Sequence, residues 1–227
     1  MNEREQPSGP ILKGDDLRKV YPDGAVEALR GVSIAIEPGE SVAVVGPSGC
    51  GKTTLLHLLG GLDEPTSGRV FHRGKPLSEI DRDQYRAREI GFVFQSFHLL
   101  PTLSAVENVQ VPMFEMGWPP RERAKRAASL VEQVGMSHRR DHPPSRLSVG
   151  ERQRIAIARA LANDPSILLA DEPTGNLDSR TQAEILELLE GFRRSQGLTL
   201  LIVTHSAEVA AAADRIVRMR DGLVEAG

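Results

Sequence analysis

Gly46-Pro47-Ser48-Gly49-Cys50-Gly51-Lys52-Thr53 is a glycine-rich octet ending in a lysine and a hydroxyl. It fits the phosphate-loop pattern G-x-x-x-x-G-K-[ST]. The flanks fit as well. Ser41-Val42-Ala43-Val44-Val45 reads as a buried strand entering the loop, and Lys52 to Leu59 as a helix ended by Gly60-Gly61. Glycines let backbone N–H groups curl around phosphate oxygens, and the helix adds its positive N-terminal end. The octet and Thr54 are expected to cradle a nucleoside triphosphate. Lys52 is expected to reach the β- and γ-phosphates, and the Thr53 hydroxyl to ligate Mg²⁺.

Further along, Ile167-Leu168-Leu169-Ala170-Asp171-Glu172 is an apolar strand ending in two acids. Asp171 is positioned to hold Mg²⁺ through its water shell, and Glu172 is the candidate general base for an attacking water.

Composition narrows the classes. The chain's 227 residues suffice for one large domain with its own core. A net charge of -3 gives no global basic field, so nucleic acid is not expected as a partner. The basic clusters Arg121 to Arg126 and Arg139-Arg140 read as solvated helix faces. One cysteine, Cys50, excludes a disulfide framework. It reads as a tolerated small residue. No apolar run reaches the ~18 residues of a membrane span. The polar first ten residues, with Pro7, Gly9 and Pro10, lack the apolar segment of a signal peptide. The chain is expected in the cytoplasm, with any membrane work left to a partner.

Residues 1–10 read as a flexible tail, and 11–227 as one domain. From Ile11 to Val45, apolar runs alternate with turn signals at Pro22-Asp23-Gly24 and Pro38-Gly39, which suggests three or four short strands. Between about 96 and 150 strand-like runs are scarce. Arg121 to Val134 has Ala124, Ala127, Ala128, Val131 and Val134 at helical spacing. Trp118, beside Pro119-Pro120, is either a partner anchor or part of a helix start. This stretch is expected to form a helical subdomain inserted in the nucleotide-binding core. After it, Arg152 to Ala162 reads as a helix and Ser166 to Ala170 as a strand. Thr181-Gln182-Ala183-Glu184 reads as a capping box for a helix burying Ile185, Leu188, Leu189 and Phe192. Leu198 to Val203 and Arg215 to Met219 read as strands. The alternation implies an α/β fold with a mostly parallel sheet flanked by helices.

Leu147-Ser148-Val149-Gly150-Glu151 resembles the signature of ATP-binding cassette (ABC) ATPases. The resemblance runs from about residue 11 to 223 with the motifs in family order. It implies a P-loop (RecA-like) core, an N-terminal antiparallel β subdomain and an inserted helical subdomain. It implies that Ser148, Val149, Gly150 and Glu151 contact ATP held by a second copy, in a head-to-tail homodimer. Gln95 resembles the Q-loop glutamine that touches Mg²⁺ and the attacking water. Asn176-Leu177-Asp178 resembles the D-loop that crosses the dimer interface. His205 resembles the switch histidine that contacts the γ-phosphate, and Tyr21 stands where an aromatic ring stacks on adenine. One departure stands out. The family has two glycines after the signature serine, and this chain has Val149-Gly150. Valine avoids positive φ. It weakens the half-site if that position needs such a backbone or a close phosphate approach, and is harmless if it merely opens a helix. A competent site is expected.

Leu55 to Asp63, Phe97-His98-Leu99-Leu100-Pro101, Ala105 to Val109 and Ala170 to Asp178 resemble the ATPases of lipoprotein-release and macrolide-export systems. This implies a permease partner with few spans, and a place on the cytoplasmic face of the inner membrane. It implies mechanotransmission rather than passage of substrate through the membrane. Two other readings stay open: the ATPase partner of a cell-division membrane regulator, and a soluble ABC ATPase acting on DNA or ribosomes.

Overall fold

The computed structural model describes residues 9–22 and 26–225. Most of the expected tail, and Asp23-Gly24 of the first turn signal, lie outside these residues. Two sheets carry the architecture. The first is antiparallel, in the order β2-β1-β4-β5, from β1 (Leu12–Tyr21), β2 (Val26–Ile36), β4 (Ser67–His72) and β5 (Lys75–Pro76). The second contains β3 (Ser41–Val45), β6 (Ile90–Val93), β7 (Ile167–Asp171), β8 (Thr199–Thr204), β9 (Arg215–Arg220) and β10 (Leu223–Val224). Its order is β10-β9-β3-β8-β7-β6, parallel throughout except for the β9–β10 hairpin. The helices are α1 (Lys52–Leu59), α2 (Arg82–Arg88), α3 (Ala105–Glu115), α4 (Pro120–Gln133), α5 (Val149–Ala160), α6 (Ser179–Gln196) and α7 (Ala207–Ala211).

Strand periodicity explains how one sheet serves two cores. On β7, Ile167 and Leu169 face the core shared with α1 and the antiparallel sheet, while Leu168 and Ala170 face the helical core. On β8, Leu201 and Val203 face the first core, and Leu200 and Ile202 the second. Both faces are apolar, so these strands read as continuous hydrophobic runs.

Four differences from the sequence expectations have physical causes. The N-terminal strands are long, not short. Register shifts between Gly14 and Leu17 and between Lys19 and Val20 break the alternation of β1, so one strand resembles several. The antiparallel sheet also recruits β4 and β5 from beyond α1, which the sequence reading left unassigned. Helix α5 starts at Val149 rather than Arg152, so the signature is its first turn. Thr181 does not open α6. Asp178 does, its carboxylate accepting from the Arg180 and Thr181 N–H groups.

The helical stretch holds α3, α4 and the start of α5, packed around Val109, Met113, Leu130 and Ile155. The chain leaves the sheet after β6 and returns on the adjacent β7. Trp118 is partly buried against this core, with Pro119 as N-cap and Pro120 opening α4, which favours the helix-start reading. Arg121 to Arg126 is more than a solvated face. Arg123 lies over the Phe114 ring at 4.0 Å, and Arg126 donates to the Leu161 carbonyl and pairs with Asp164.

Candidate active site

Four segments expected to carry chemistry follow the carboxyl ends of neighbouring parallel strands. The register aligns those ends: Val93 lies opposite Ala170, Asp171 opposite Val203, and Thr204 opposite Val45. Open α/β sheets bind ligands at this edge. Because β8 is inserted between β3 and β7, His205 emerges between the phosphate loop and Glu172.

The loop is pinned by its glycines. A Cβ on Gly46 would lie 2.1 Å from the Met219 carbonyl oxygen and 2.7 Å from the Cys50 sulfur. Gly51, at φ 102°, leaves no room either: its Cβ would meet the Ala28 carbonyl oxygen at 2.4 Å. Strands β9 and β2 thus hold the loop from two sides. Cys50 is buried there, and the loop's outer residues Pro47, Ser48 and Gly49 are exposed. Lys52 is only 8% exposed, its Nζ donating to the Gly46 carbonyl at 2.8 Å and the Pro47 carbonyl at 3.0 Å. Thr54 is half-buried on the first turn of α1.

The Thr53 hydroxyl donates to Asp171 Oδ1 at 3.3 Å, joining the two residues expected to hold Mg²⁺. Burial raises the Asp171 pKa above the usual carboxylate range. A half-buried carboxylate, one hydroxyl away from the loop, suits a hard cation, whose charge would offset the cost of ionising it there. Mg²⁺ keeps most of its waters and takes one or two protein oxygens beside phosphates. Among the described residues no group of three or more His, Cys, Asp or Glu side chains is placed to hold a metal ion.

Glu172 stands at φ 46°, in the left-handed region, which costs a non-glycine residue roughly 1–2 kcal/mol. Its N–H donates to the Val203 carbonyl at 2.9 Å, so the sheet extends through the turn. Its carboxylate meets His205 Nδ1 at 2.8 Å and accepts from the Thr204 hydroxyl at 3.2 Å. Gln95 is exposed, its amide nitrogen 3.5 Å from where a Cβ on Gly175 would sit, beside the segment after Glu172. Tyr21 stands apart. Its hydroxyl donates to Asp63 at 3.2 Å and its ring lies under Lys19 at 5.0 Å.

A second cleft, of roughly 440 Å³, lies elsewhere on the chain and contains no phosphate-loop residue. The signature Ser148, Val149, Gly150 and Glu151 forms one wall, and Asn176, Leu177 and Asp178 the other. Ser148 caps α5 reciprocally: the Glu151 N–H donates to its hydroxyl at 3.2 Å, and the Ser148 N–H donates to Glu151 Oε2 at 2.7 Å. Val149 occupies ordinary helical backbone as the first residue of α5 and has no positive φ. Of the two possibilities for this departure, the helix-opening one fits the backbone.

A third opening, of roughly 550 Å³, lies where the segment after β6 crosses α3 and α5, with Phe92, Phe94, His98, Pro112 and Arg159 on its walls. Two residues here escaped the sequence reading. Arg159, near the end of α5, donates to the Phe97 carbonyl at 2.6 Å and to the His98 carbonyl, and both those residues have positive φ. Asn108, fully buried on α3, accepts from the Leu100 N–H at 2.7 Å and donates to the Leu100, Leu103 and Ser104 carbonyls. The adjacent positive-φ pair has no sequence signal. Asn108 could have been flagged, being polar on an otherwise apolar helix face.

Residues 29–175 match the family model described as ABC transporter. The chain belongs to the ABC transporter family. As an ATP-binding cassette it is 54% identical over 220 residues to an uncharacterized ABC transporter ATP-binding protein of Thermotoga maritima, covering 95% of this chain and 94% of that protein. It is 46% identical over 222 residues to the macrolide export ATP-binding/permease protein MacB of Syntrophobacter fumaroxidans. There the match covers 95% of this chain but only 31% of the longer protein. Among solved structures, the dimeric ATP-binding cassette MJ0796 in a post-hydrolysis state with ADP and Pi superposes with a TM-score of 0.87 at 40% identity. That superposition covers 95% of this cassette and 97% of that chain. Among the described residues, no helix is long and apolar enough to cross a membrane.

Proposed function

We propose that the cassette is the ATP-hydrolysing subunit of a membrane machine of the macrolide-export or lipoprotein-release type. One observation carries this reading. The phosphate loop, Asp171, Glu172 and His205 converge at one sheet edge, while the signature lines a separate cleft with no phosphate-loop residue. A single chain then offers two half-sites, and two chains packed head to tail complete both. The relationship to a macrolide exporter and the dimeric solved cassette support the same reading.

The chemistry follows from the residues. Backbone N–H groups of the loop and Lys52 bind the phosphates of ATP. Thr53 and Asp171 would hold Mg²⁺, with Gln95 as a further oxygen donor, and the ion would supply charge neutralisation to the phosphates. Glu172 takes the proton of the attacking water. His205 orients Glu172 and faces the γ-phosphate. Ser148 and the free N–H groups at the start of α5 grip the same phosphate from the other chain. Loss of that phosphate removes the bridge, and the dimer opens. Tyr21 stacks on adenine after its hydroxyl leaves Asp63. The groove bounded by Phe92, Phe94 and Arg159 receives a short helix of a permease. That places the cassette peripherally on the cytoplasmic face of the cell membrane, with closure transmitted to the permease's outside domain.

The test is a pull-down with Glu172→Gln, trapped in ATP and Mg²⁺, from detergent-solubilised membranes of the source organism. A permease with few spans and a large outside domain is the expected catch. A cell-division regulator in its place would move the cassette to that role. Nucleic acid or ribosomes without any membrane protein would overturn the membrane reading.

A further inference from the structure

The signature of this chain ends in an acid, and an acid is an odd neighbour for a phosphate. Glu151 stands on the first turn of α5, where the Val149 and Gly150 N–H groups have no protein acceptor among the described residues. Free N–H groups at a helix start attract anions, and a carboxylate beside them opposes a second anion. The Glu151 side chain is nevertheless fully engaged. Oε2 accepts from the Ser148 N–H at 2.7 Å, and Oε1 faces the Arg139 guanidinium at 3.1 Å and His138 at 3.7 Å. The Ser148 N–H first, and Arg139 after it, hold its carboxyl below the usual range, so it is an anion at neutral pH.

The other acids of the cleft are engaged too. Asp178 accepts from the Arg180 and Thr181 N–H groups and from the Thr181 hydroxyl. Glu184 pairs with Arg154 at 2.8 Å. Arg139 differs from Thr181 and Arg154 in origin. It comes from the turn Ser137–Arg139, between α4 and α5, outside the cleft walls. Arg139 is 40% exposed and Glu151 22%, and such a pair adds little to folding stability. Its value lies in the charge it cancels.

We propose that Arg139 is a positioning residue for ATP-driven dimerisation. It pairs with the Glu151 carboxylate at the cleft wall and neutralises it, so that the first turn of α5 accepts the γ-phosphate carried by a second copy. The proposal rests on the head-to-tail sandwich described above and extends it: this acidic signature works only with a basic partner.

The experiment measures the dimer dissociation constant by sedimentation, with ATP and Mg²⁺, in the Glu172→Gln background. A fluorescent ATP analogue reports monomer binding, and thermal melting reports folding. Arg139→Ala should weaken the dimer about tenfold, since in each of two half-sites an uncancelled carboxylate then opposes the incoming phosphate across a solvent-screened distance. Monomer nucleotide binding, through the phosphate loop, should not change. Arg139→Lys, which keeps the charge, should stay near the parent. Adding Glu151→Gln to Arg139→Ala should bring the dimer within about twofold of Glu151→Gln alone, because the charge that needed cancelling is gone. A dimer unaffected by Arg139→Ala overturns the proposal. So does a defect that persists beside Glu151→Gln, which would make Arg139 a brace of the turn. A parent that binds ATP but never dimerises would overturn the sandwich itself.

Discussion

Lys52 is held by carbonyl oxygens of its own loop, ready but occupied. In the proposed mechanism phosphate oxygens replace those acceptors at little cost, because the ammonium is already desolvated and positioned. Lys52→Ala should therefore lower ATP affinity on the order of a hundredfold, the loss of charge-assisted hydrogen bonds, measurable with a fluorescent analogue. Glu172→Gln keeps the size of the side chain but cannot accept the water's proton. ATP turnover should fall at least about 10²-fold while nucleotide binding persists. Val149 gives a sharper test of local reasoning. Since its backbone is ordinary helix, glycine there relieves no strain and costs helix stability only about 0.3 kcal/mol relative to valine. Val149→Gly should leave ATPase activity within about tenfold of the parent. An increase of orders of magnitude would show that the side chain obstructs the phosphate.

At the level of elements, one polar junction ties the antiparallel sheet to the parallel one. His72 of β4 lies 3.5 Å from Glu89, just before β6, and Ser166, just before β7, donates to the same carboxylate at 2.6 Å. His72, then Ser166, lower the Glu89 pKa from 4.5 to about 2. A depressed carboxylate pKa stabilises the fold above its unfolded value and loses that contribution as pH falls through the folded one. The junction should thus stabilise the cassette fully above about pH 4.5 and fade toward pH 2. Denaturant melts at several pH values should show Glu89→Gln less stable than the parent at neutral pH and converging with it on acidification. The element starts show what the sequence could and could not say. The pattern S/T-x-x-E occurs at Ser104, Ser148 and Thr181, and also at Ser129 in the interior of α4. It caps α3 and α5, but Thr181 is already inside α6, because Asp178 lies three residues upstream and binds the N–H groups first. Local pattern finds a cap; competition between nearby caps decides which one acts. Strand β4 was illegible for another reason. Ser67-Gly68-Arg69-Val70-Phe71-His72 is mostly polar and forms a strand only because β1 offers its free edge.

On the scale of the whole molecule, the phosphate loop, the two acids and the parallel order were legible because each depends on short-range chemistry: glycine for close approach, apolar runs for strands buried on both faces. The convergence of Gln95, Asp171, Glu172 and His205 was not readable from spacing. It comes from strand order, which places β8 between β3 and β7, and from a register fixed over residues far apart in the chain. Tyr21 shows the same gap in reverse, since the sheet that carries it leaves its hydroxyl on Asp63. The signature cleft contains no phosphate-loop residue, which is why the proposed mechanism calls for a second copy. The measurement closest to that claim is the mass of Glu172→Gln by light scattering on a sizing column, with and without ATP and Mg²⁺. A dimer that forms with ATP, and is lost when Lys52→Ala is added, is the expected result. A chain that binds ATP yet stays a monomer, or dimerises equally without it, would contradict the account.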